Sequence, residues 1–465
     1  MHGLYRRILP VSIAICVVVY VTYQRQTNIE EFQKKTIQIS SSLKSPNPYR
    51  TYGQVTTQTP DLSRTYGQVI EQSSNPSRTY EQVTIQTPDP SRTYGQVTKQ
   101  TPDPSRIYGQ VAVQSHDFSW TYENRYTSLY EKCAELPKAK THIRAPLYFY
   151  SKSNNVAFCK APKTGSTFIG TVVKALEKNG DLVRNMFHVN RESVHGRNEA
   201  TLDTIVKQNS QDLKIILVTR DPFTRLFSAY LDKYFVLGIW GKQMAQNLGK
   251  DHRKIRDGFC GFDISFQEFL DYVTDVSLGN KNTDEHTLPV SSLCNPCFVR
   301  YDVICKQETL TSDTEHVLKL INITEQKRLA IVNMIRGKTM TDTIFSWISS
   351  HLWYYIVYKK DCSSKILLVE RLWQVLQLQG YINASLTFPA RLFKNLPVFR
   401  AESVTTLILK QIRSSPLTES QTFIQRTRIL QQAYGQIKPA TVARVQTMFA
   451  QDFKLFDYDR SPPHI

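Results

Sequence analysis

Acidic residues are scarce in this sequence: 40 Asp and Glu stand against 58 Lys and Arg in 465 residues, a formal net charge of +18. That deficit favours polyanionic partners, and by charge alone nucleic acid, anionic polysaccharide and membrane headgroups all qualify. Also missing is the Gly-x-x-x-x-Gly-Lys-Ser/Thr order of the common nucleotide loop, which argues against an ordinary ATPase or GTPase. No carboxylate cluster is arranged for magnesium. Cys294-x-x-Cys297 has no second Cys-x-x-Cys and no His pair at ligand spacing, so disulfides are expected there and no metal site is predicted.

Long apolar runs are equally sparse. Residues 8–23 form an uncharged one, preceded by Arg6 and Arg7. Its 16 residues are slightly fewer than the roughly 20 a span needs, but Tyr20 and Tyr23 suit an interface and no small-x-small cleavage site follows. The expectation is an uncleaved signal anchor, with residues 1–7 cytosolic and the rest lumenal; a cleaved signal peptide is the alternative. Either puts the remainder in the secretory pathway. From Arg50 a fourteen-residue unit recurs five times over residues 50–119, beginning at Arg50, Arg64, Arg78, Arg92 and Arg106. Each copy carries essentially one Tyr and one Val, too little to bury a core, and the period is too short for helical solenoids. Residues 24–125 therefore read as a flexible stem, open to O-glycosylation, with a binding role for the repeated tyrosines as the alternative.

What is present begins at Val156. The run Val156-Ala157-Phe158-Cys159 reads as a strand, Pro162-Lys163-Thr164-Gly165-Ser166-Thr167 as a turn, and Phe168, Val172, Val173 and Leu176 recur at helical spacing as far as Asn179-Gly180. Gly165 lets backbone approach an anion, Ser166 and Thr167 add hydroxyls beside the free N–H groups of a helix start, and Lys163 brings a charge. A second strand, Leu213–Thr219, leads into Arg220-Asp221-Pro222, where Asp221 suits an N-cap and Pro222 the first turn. Phe223, Leu226, Phe227, Tyr230, Leu231 and Tyr234 make the apolar face of that helix. Arg220 and Ser228 stand where both can reach a second phosphate.

These two stretches together resemble the adenylyl-sulfate-binding elements of sulfotransferases, specifically the Golgi carbohydrate sulfotransferases that include the chondroitin/dermatan 4-O and HNK-1 enzymes. Three further stretches are similar to the same family: Asp284-Glu285-His286-Thr287-Leu288-Pro289; Leu293-Cys294-Asn295-Pro296-Cys297 running on to Tyr301–Leu310; and Asp452–Tyr458. The likeness covers roughly residues 126–460 and weakens over 325–445. It implies an α/β fold with a P-loop-like parallel sheet flanked by helices in a lumenal domain at 126–465. It also implies 3′-phosphoadenylyl sulfate (PAPS) as co-substrate without a metal, an anionic glycan or proteoglycan acceptor of chondroitin or dermatan type, no nucleic-acid partner, and a single-pass type II Golgi membrane protein. By that resemblance Pro162, Lys163, Thr164, Gly165, Ser166 and Thr167 surround the 5′-phosphosulfate and Arg220 and Ser228 the 3′-phosphate. Lys163 meets the leaving phosphate.

The acceptor hydroxyl needs a base, and His286 is the candidate because imidazole titrates near working pH. Glu285, His188 and His195 are alternatives. The family's usual tryptophan after the histidine is Thr287 here, which bears on acceptor recognition. Lys233, Lys242, Lys250, Arg253, Lys254 and Arg256, with Trp240 nearby, are the expected acceptor grip. Of the eight cysteines, Cys133, Cys159, Cys260, Cys294, Cys297, Cys305 and Cys362 fall on the expected lumenal side. Seven is odd, so one is free or pairs between chains, which leaves room for a homodimer; Cys305, standing at the family's usual glycine, is the candidate. Asn322-Ile-Thr324 and Asn383-Ala-Ser385 are glycosylation sequons. Two other readings stay open: an inactive glycan-binding protein on the same fold, and an ATP- and magnesium-dependent P-loop kinase.

Overall fold

The computed structural model describes residues 118–136, 146–178, 186–189, 191–195, 199–208, 212–249, 262–275, 284–357, 362 and 364–463. The expected signal anchor at 8–23, the repeats as far as residue 117, and Lys250, Arg253, Lys254 and Arg256 lie outside the described residues. Among the described residues no helix is long and apolar enough to cross a membrane.

Five strands form one sheet in the order β3-β1-β2-β4-β5: β1 Leu147–Ser151, β2 Val156–Cys159, β3 Glu199–Thr201, β4 Lys214–Thr219 and β5 Val303–Lys306. The expected parallel sheet is thus corrected to a mixed one. Only β2, β4 and β5 run parallel, with Phe158 opposite Ile216 and Ile216 opposite Val303. β1 is antiparallel to both β2 and β3. The reason is connection length: residues 152–155 between β1 and β2 suffice for a hairpin turn, helped by left-handed Asn155, and are far too few for a crossover. The long connections after β2 and β4 carry helices, as parallel pairing requires. β2 is buried at every residue, and Leu217, Val218 and Ile304 are equally inaccessible, so the central strands are covered on both faces.

Helix Ser166–Leu176 packs Ile169, Val172, Val173 and Leu176 onto one face with Phe149, Phe158, Ile216 and Val218. Tyr148, Ala157, Leu217 and Ile304 face the other way, toward Leu129, Val290, Tyr301 and Phe456. Each fully buried side chain of this kind contributes about 1.5–3 kcal/mol. A third, all-helical core joins Phe223, Leu226 and Tyr230 to Trp347, Leu372, Trp373, Ile408, Phe449 and Phe453. The region from 325 to 445, where the family likeness weakens, supplies helices Glu325–Arg336, Met340–Val357, Lys365–Leu378, Ala401–Ser414 and Glu419–Gly435.

Packing also reaches further toward the amino terminus than the expected domain start at 126. Helix Phe118–Ala134 places Tyr122 in the core, donating to Asp313 Oδ1 at 3.0 Å, and Arg125 meets Asp313 Oδ2 at 2.7 Å. Cys294 and Cys297 both enter disulfides, with Cys159 and Cys133 respectively, and Cys362 is disulfide-bonded as well. Cys305 is the free thiol among the described residues and is buried; burial, with Asp313 adding to it, pushes the thiol well above its ordinary range.

The Cys159–Cys294 bond closes a separation of 135 residues. Replacing both by Ser should lower unfolding stability by about 2–5 kcal/mol, read by thermal denaturation; an unchanged melting temperature would remove the bond from the stabilising framework.

Candidate active site

The turn after β2 is shaped by two left-handed residues, Lys163 at φ 70° and Gly165 at φ 98°. Gly165 directly precedes helix Ser166–Leu176, whose first N–H groups have no intrahelical acceptor and open toward the cleft. A Cβ at Gly165 would run into Leu310 Cδ2. Thr164 is buried and donates to the Ala161 carbonyl at 2.8 Å, so it holds the turn rather than lining the cleft. Thr167 Oγ1 lies 3.2 Å from His195 Nε2.

At the end of β4, Asp221 caps helix Pro222–Ala229 by accepting from Thr224 N at 2.8 Å, as the sequence suggests. Arg220 donates to the Lys163 carbonyl at 2.9 Å and to Thr224 Oγ1 at 3.2 Å. Burial lowers its guanidinium to about 10, a value that leaves it charged near neutrality. Arg225 is fully buried and donates to the carbonyls of Pro162 at 2.9 Å, Leu288 at 2.5 Å and Glu285 at 3.2 Å. The phosphate-type loop and the Asp284–Pro289 segment are therefore fixed to one side chain.

A cleft of about 480 Å³ gathers most of the expected residues: Pro162, Lys163, Gly165, Ser166, Thr167, Arg220, Ser228, Lys233, Trp240, Glu285 and His286 all line it. His286 Nδ1 stands 2.6 Å from Asp284 Oδ1, and Tyr234 donates to Asp284 Oδ2. That contact makes Nδ1 the protonated nitrogen and leaves Nε2 as the acceptor. Burial holds the imidazole below its ordinary 6.5, with Lys233 and Lys163 adding to the shift and Asp284 opposing it. Trp240 lies 6.0 Å from the His286 ring, edge to face.

Other expectations are placed differently. His188 does not line the cleft: it is exposed, stacked on Phe345 at 4.0 Å and 3.1 Å from Asp342, whereas the other candidate bases His286, Glu285 and His195 do line it. Thr287 is completely buried and donates to the Asp284 carbonyl at 3.0 Å, so its departure from the family pattern alters a turn, not the cleft wall. Phe168 is only partly buried and stacks on Phe187 at 5.4 Å in the cleft. Asn322 is exposed, whereas Asn383 is half-buried with its Nδ2 donating to Ser415 Oγ at 3.2 Å. Among the described residues no group of His, Cys, Asp and Glu is placed to hold a metal.

The sequence reading assigns no role to Arg225 or Asp284, though both fall in its family-like stretches, and it misses Asp232, Arg191 and the cleft residues Trp347, Tyr354, Gln379 and Tyr381. Asp232 carries no local signal of its own, because Thr224, Arg225, Ser228 and Lys233 share its helix and turn and no single polar residue stands out.

A profile of the sulfotransferase family matches residues 146–344, which hold the phosphate-type loop, Arg220, Ser228 and His286. This part of the chain carries the sulfotransferase family signature. Its matched part is similar to carbohydrate sulfotransferase 9 of Homo sapiens, 28% identical over 223 residues, covering 43% of this chain and 48% of that protein. It is also similar to carbohydrate sulfotransferase 11 of Danio rerio, 29% identical over 229 residues, 45% and 64% of the two chains. Over a shorter stretch of 110 residues it is 36% identical to carbohydrate sulfotransferase 14 of Mus musculus, 23% and 28% of the two chains. The chain thus spans between about half and just under two thirds of the first two relatives. No solved structure matches it. The cleft residues Trp347, Tyr354, Gln379 and Tyr381 lie beyond residue 344, outside the family match.

Alanine at Gly165 should cost about 1–2 kcal/mol from the left-handed backbone alone. Thermal unfolding of the full chain with Gly165→Ala checks this, and an unchanged midpoint would show that the turn relaxes freely.

Proposed function

We propose that this chain transfers a sulfuryl group from PAPS to a hydroxyl of a glycan, with an anionic acceptor of chondroitin or dermatan type. The observation that carries the reading is the convergence on one cleft of two anion-binding elements, the 162–167 loop and the Arg220–Ser228 pair, beside a carboxylate-oriented imidazole. The residues fit such a donor: backbone N–H groups at a helix start, a left-handed glycine that lets backbone close on an anion, and Lys163 and Arg220 as separate cations. PAPS, when bound, supplies a sulfuryl group on a phosphate leaving group.

The chain's own residues then have distinct tasks. Nε2 of His286 takes the proton from the acceptor hydroxyl as the oxygen forms its bond to sulfur. The bond from sulfur to the phosphate oxygen breaks, and the Lys163 amine with the N–H groups at Ser166 and Thr167 meets the charge left there. Arg220 and Ser228 hold the 3′-phosphate. Trp240 and Tyr354 offer faces for a sugar ring, and the Lys233 amine, 5.9 Å from the Tyr354 ring centre, offers a charge to a uronate or sulfate. From Arg6, Arg7 and residues 8–23 we further infer a single-pass type II Golgi membrane protein with residues 126–465 lumenal.

Transfer of labelled sulfate from PAPS to desulfated chondroitin, dermatan, heparan and glucuronyl-terminated acceptors tests the reading in the full chain. Lys163→Ala should abolish incorporation. His286→Gln should lower kcat by about 10²–10⁴-fold while keeping affinity for 3′-phosphoadenosine 5′-phosphate. Failure of the wild type to transfer sulfate or to bind that nucleotide would overturn the reading.

The pH profile follows from the same groups. A base must be neutral, so activity should rise with pH through a midpoint below 6.5 that disappears in His286→Gln. A charged Lys163 is needed on the other side. Burial lowers its amine to about 8, with Arg191 and Lys233 adding to the shift and Asp232 opposing it, so activity should fall as pH rises through that value.

A further inference from the structure

A carboxylate in an anion-binding cleft repels the ligand, so one that sits at its back asks for an explanation. Asp232 is that group. Its side chain is 2% exposed and does not line the cleft, yet it touches side chains that do. Oδ2 accepts from the Lys163 amine at 2.9 Å, and the Arg191 guanidinium is bidentate, at 2.7 Å to Oδ1 and 2.8 Å to Oδ2. Trp347 Nε1 donates to Oδ1 at 3.0 Å, and Lys233 Nζ lies 3.6 Å from Oδ2. Four segments meet at this one group: the phosphate-type loop, the 191–193 turn, its own turn and helix Met340–Val357.

Its position depends on an irregular turn. Helix Pro222–Ala229 passes into a π turn at Tyr230–Tyr234, closed by Phe235 N donating to the Tyr230 carbonyl at 2.8 Å. Such single turns shift side-chain register within a helix and recur at functional sites. With both oxygens engaged by fixed donors, the carboxylate cannot follow Lys163; Lys163 is held to the carboxylate.

We propose that Asp232 is a positioning residue for sulfuryl transfer, holding the Lys163 side chain as a protonated amine at the place where the leaving phosphate oxygen lies. Three cations and one carboxylate leave the cluster with a surplus of two positive charges, so it still attracts an anion. Without Asp232 a nearly buried amine faces Arg191 and Lys233 on one side and His286 on another, while Arg220 donates to its own carbonyl. His351 is buried nearby, and burial lowers its imidazole to about 4, with Arg191 and Lys233 adding to the shift and Asp232 opposing it, so it is neutral near pH 7 and adds no charge to the cluster. An amine so placed sheds its proton and loses the charge on which the chemistry rests. The inference rests on the assignment of Lys163 to the leaving phosphate.

The decisive measurement reads the amine directly and needs no donor: competitive acetylation of Lys163 with acetic anhydride from pH 6 to 10, followed by mass spectrometry on the folded full chain. Asp232→Asn should move the acetylation midpoint to lower pH by about one unit or more, and Asp232→Glu should restore it. Arg191→Gln should move it the other way, because a competitor for the carboxylate and a repelling charge are both removed; that variant decides the matter if Asp232→Asn does not fold. A midpoint unchanged in Asp232→Asn, or lowered in Arg191→Gln, overturns the proposal. Calorimetry with 3′-phosphoadenosine 5′-phosphate separates this from failure of the donor assignment. In Asp232→Asn, affinity at pH 6 should stay within about threefold of wild type and, as pH rises, should begin to fall at a lower pH than in wild type. A loss equal at every pH would mark Asp232 as merely structural, whereas absence of binding by the wild type would count against the donor assignment and leave the acetylation result standing.

Discussion

The guanidinium of Arg225 joins the two halves of the site. It lies wholly inside the protein and binds one carbonyl of the phosphate-type loop and two of the segment that carries His286. Burial lowers it to about 10, with Asp452 and Asp284 among the charges that oppose the shift. Buried charge is tolerable only when its donors are satisfied, and three carbonyls from two segments do that here. Asp452 is fixed in turn, accepting from Val290 N at 2.7 Å and Ser291 N at 2.8 Å. Glu308 ties Asp221 N to Tyr458, whose hydroxyl meets Thr219 at 3.1 Å. Sequence blocks separated by more than two hundred residues thus converge on the carboxyl ends of β2 and β4.

What could be read from the sequence was local. The strand ending at Cys159, the helix from Ser166 and the Asp221 cap each follow from neighbours within a few positions, and each is found where expected. Asp232 was not readable, because its partners lie 41, 69 and 115 residues away and its direction depends on a π turn with no composition of its own. β1, β3 and β5 were not readable as strands: each spans only three to five residues, too short for apolar periodicity to mark a strand by itself. Tyr122 was assigned to the stem because it follows the last repeat directly, and only contact with Asp313 gives it a core role.

The helices beyond the family match are part of the site. Met340–Val357 contributes Trp347 to the Asp232 cluster and Tyr354 to the cleft wall, and Gln379 and Tyr381 follow from the end of Lys365–Leu378. Trp347 and Tyr381 pack in one core with the helix that begins at Pro222, so helices beyond the family match are packed against a helix within it.

Cys159 is the last residue of β2, and the phosphate-type loop starts within three positions of it; its disulfide partner, Cys294, follows His286 by eight residues. The covalent frame of the site is therefore complete only after oxidation. Synthesis and maturation separate into two events: a chain whose thiols remain reduced lacks the tether between these segments, and its assembly depends on where in the cell folding is finished.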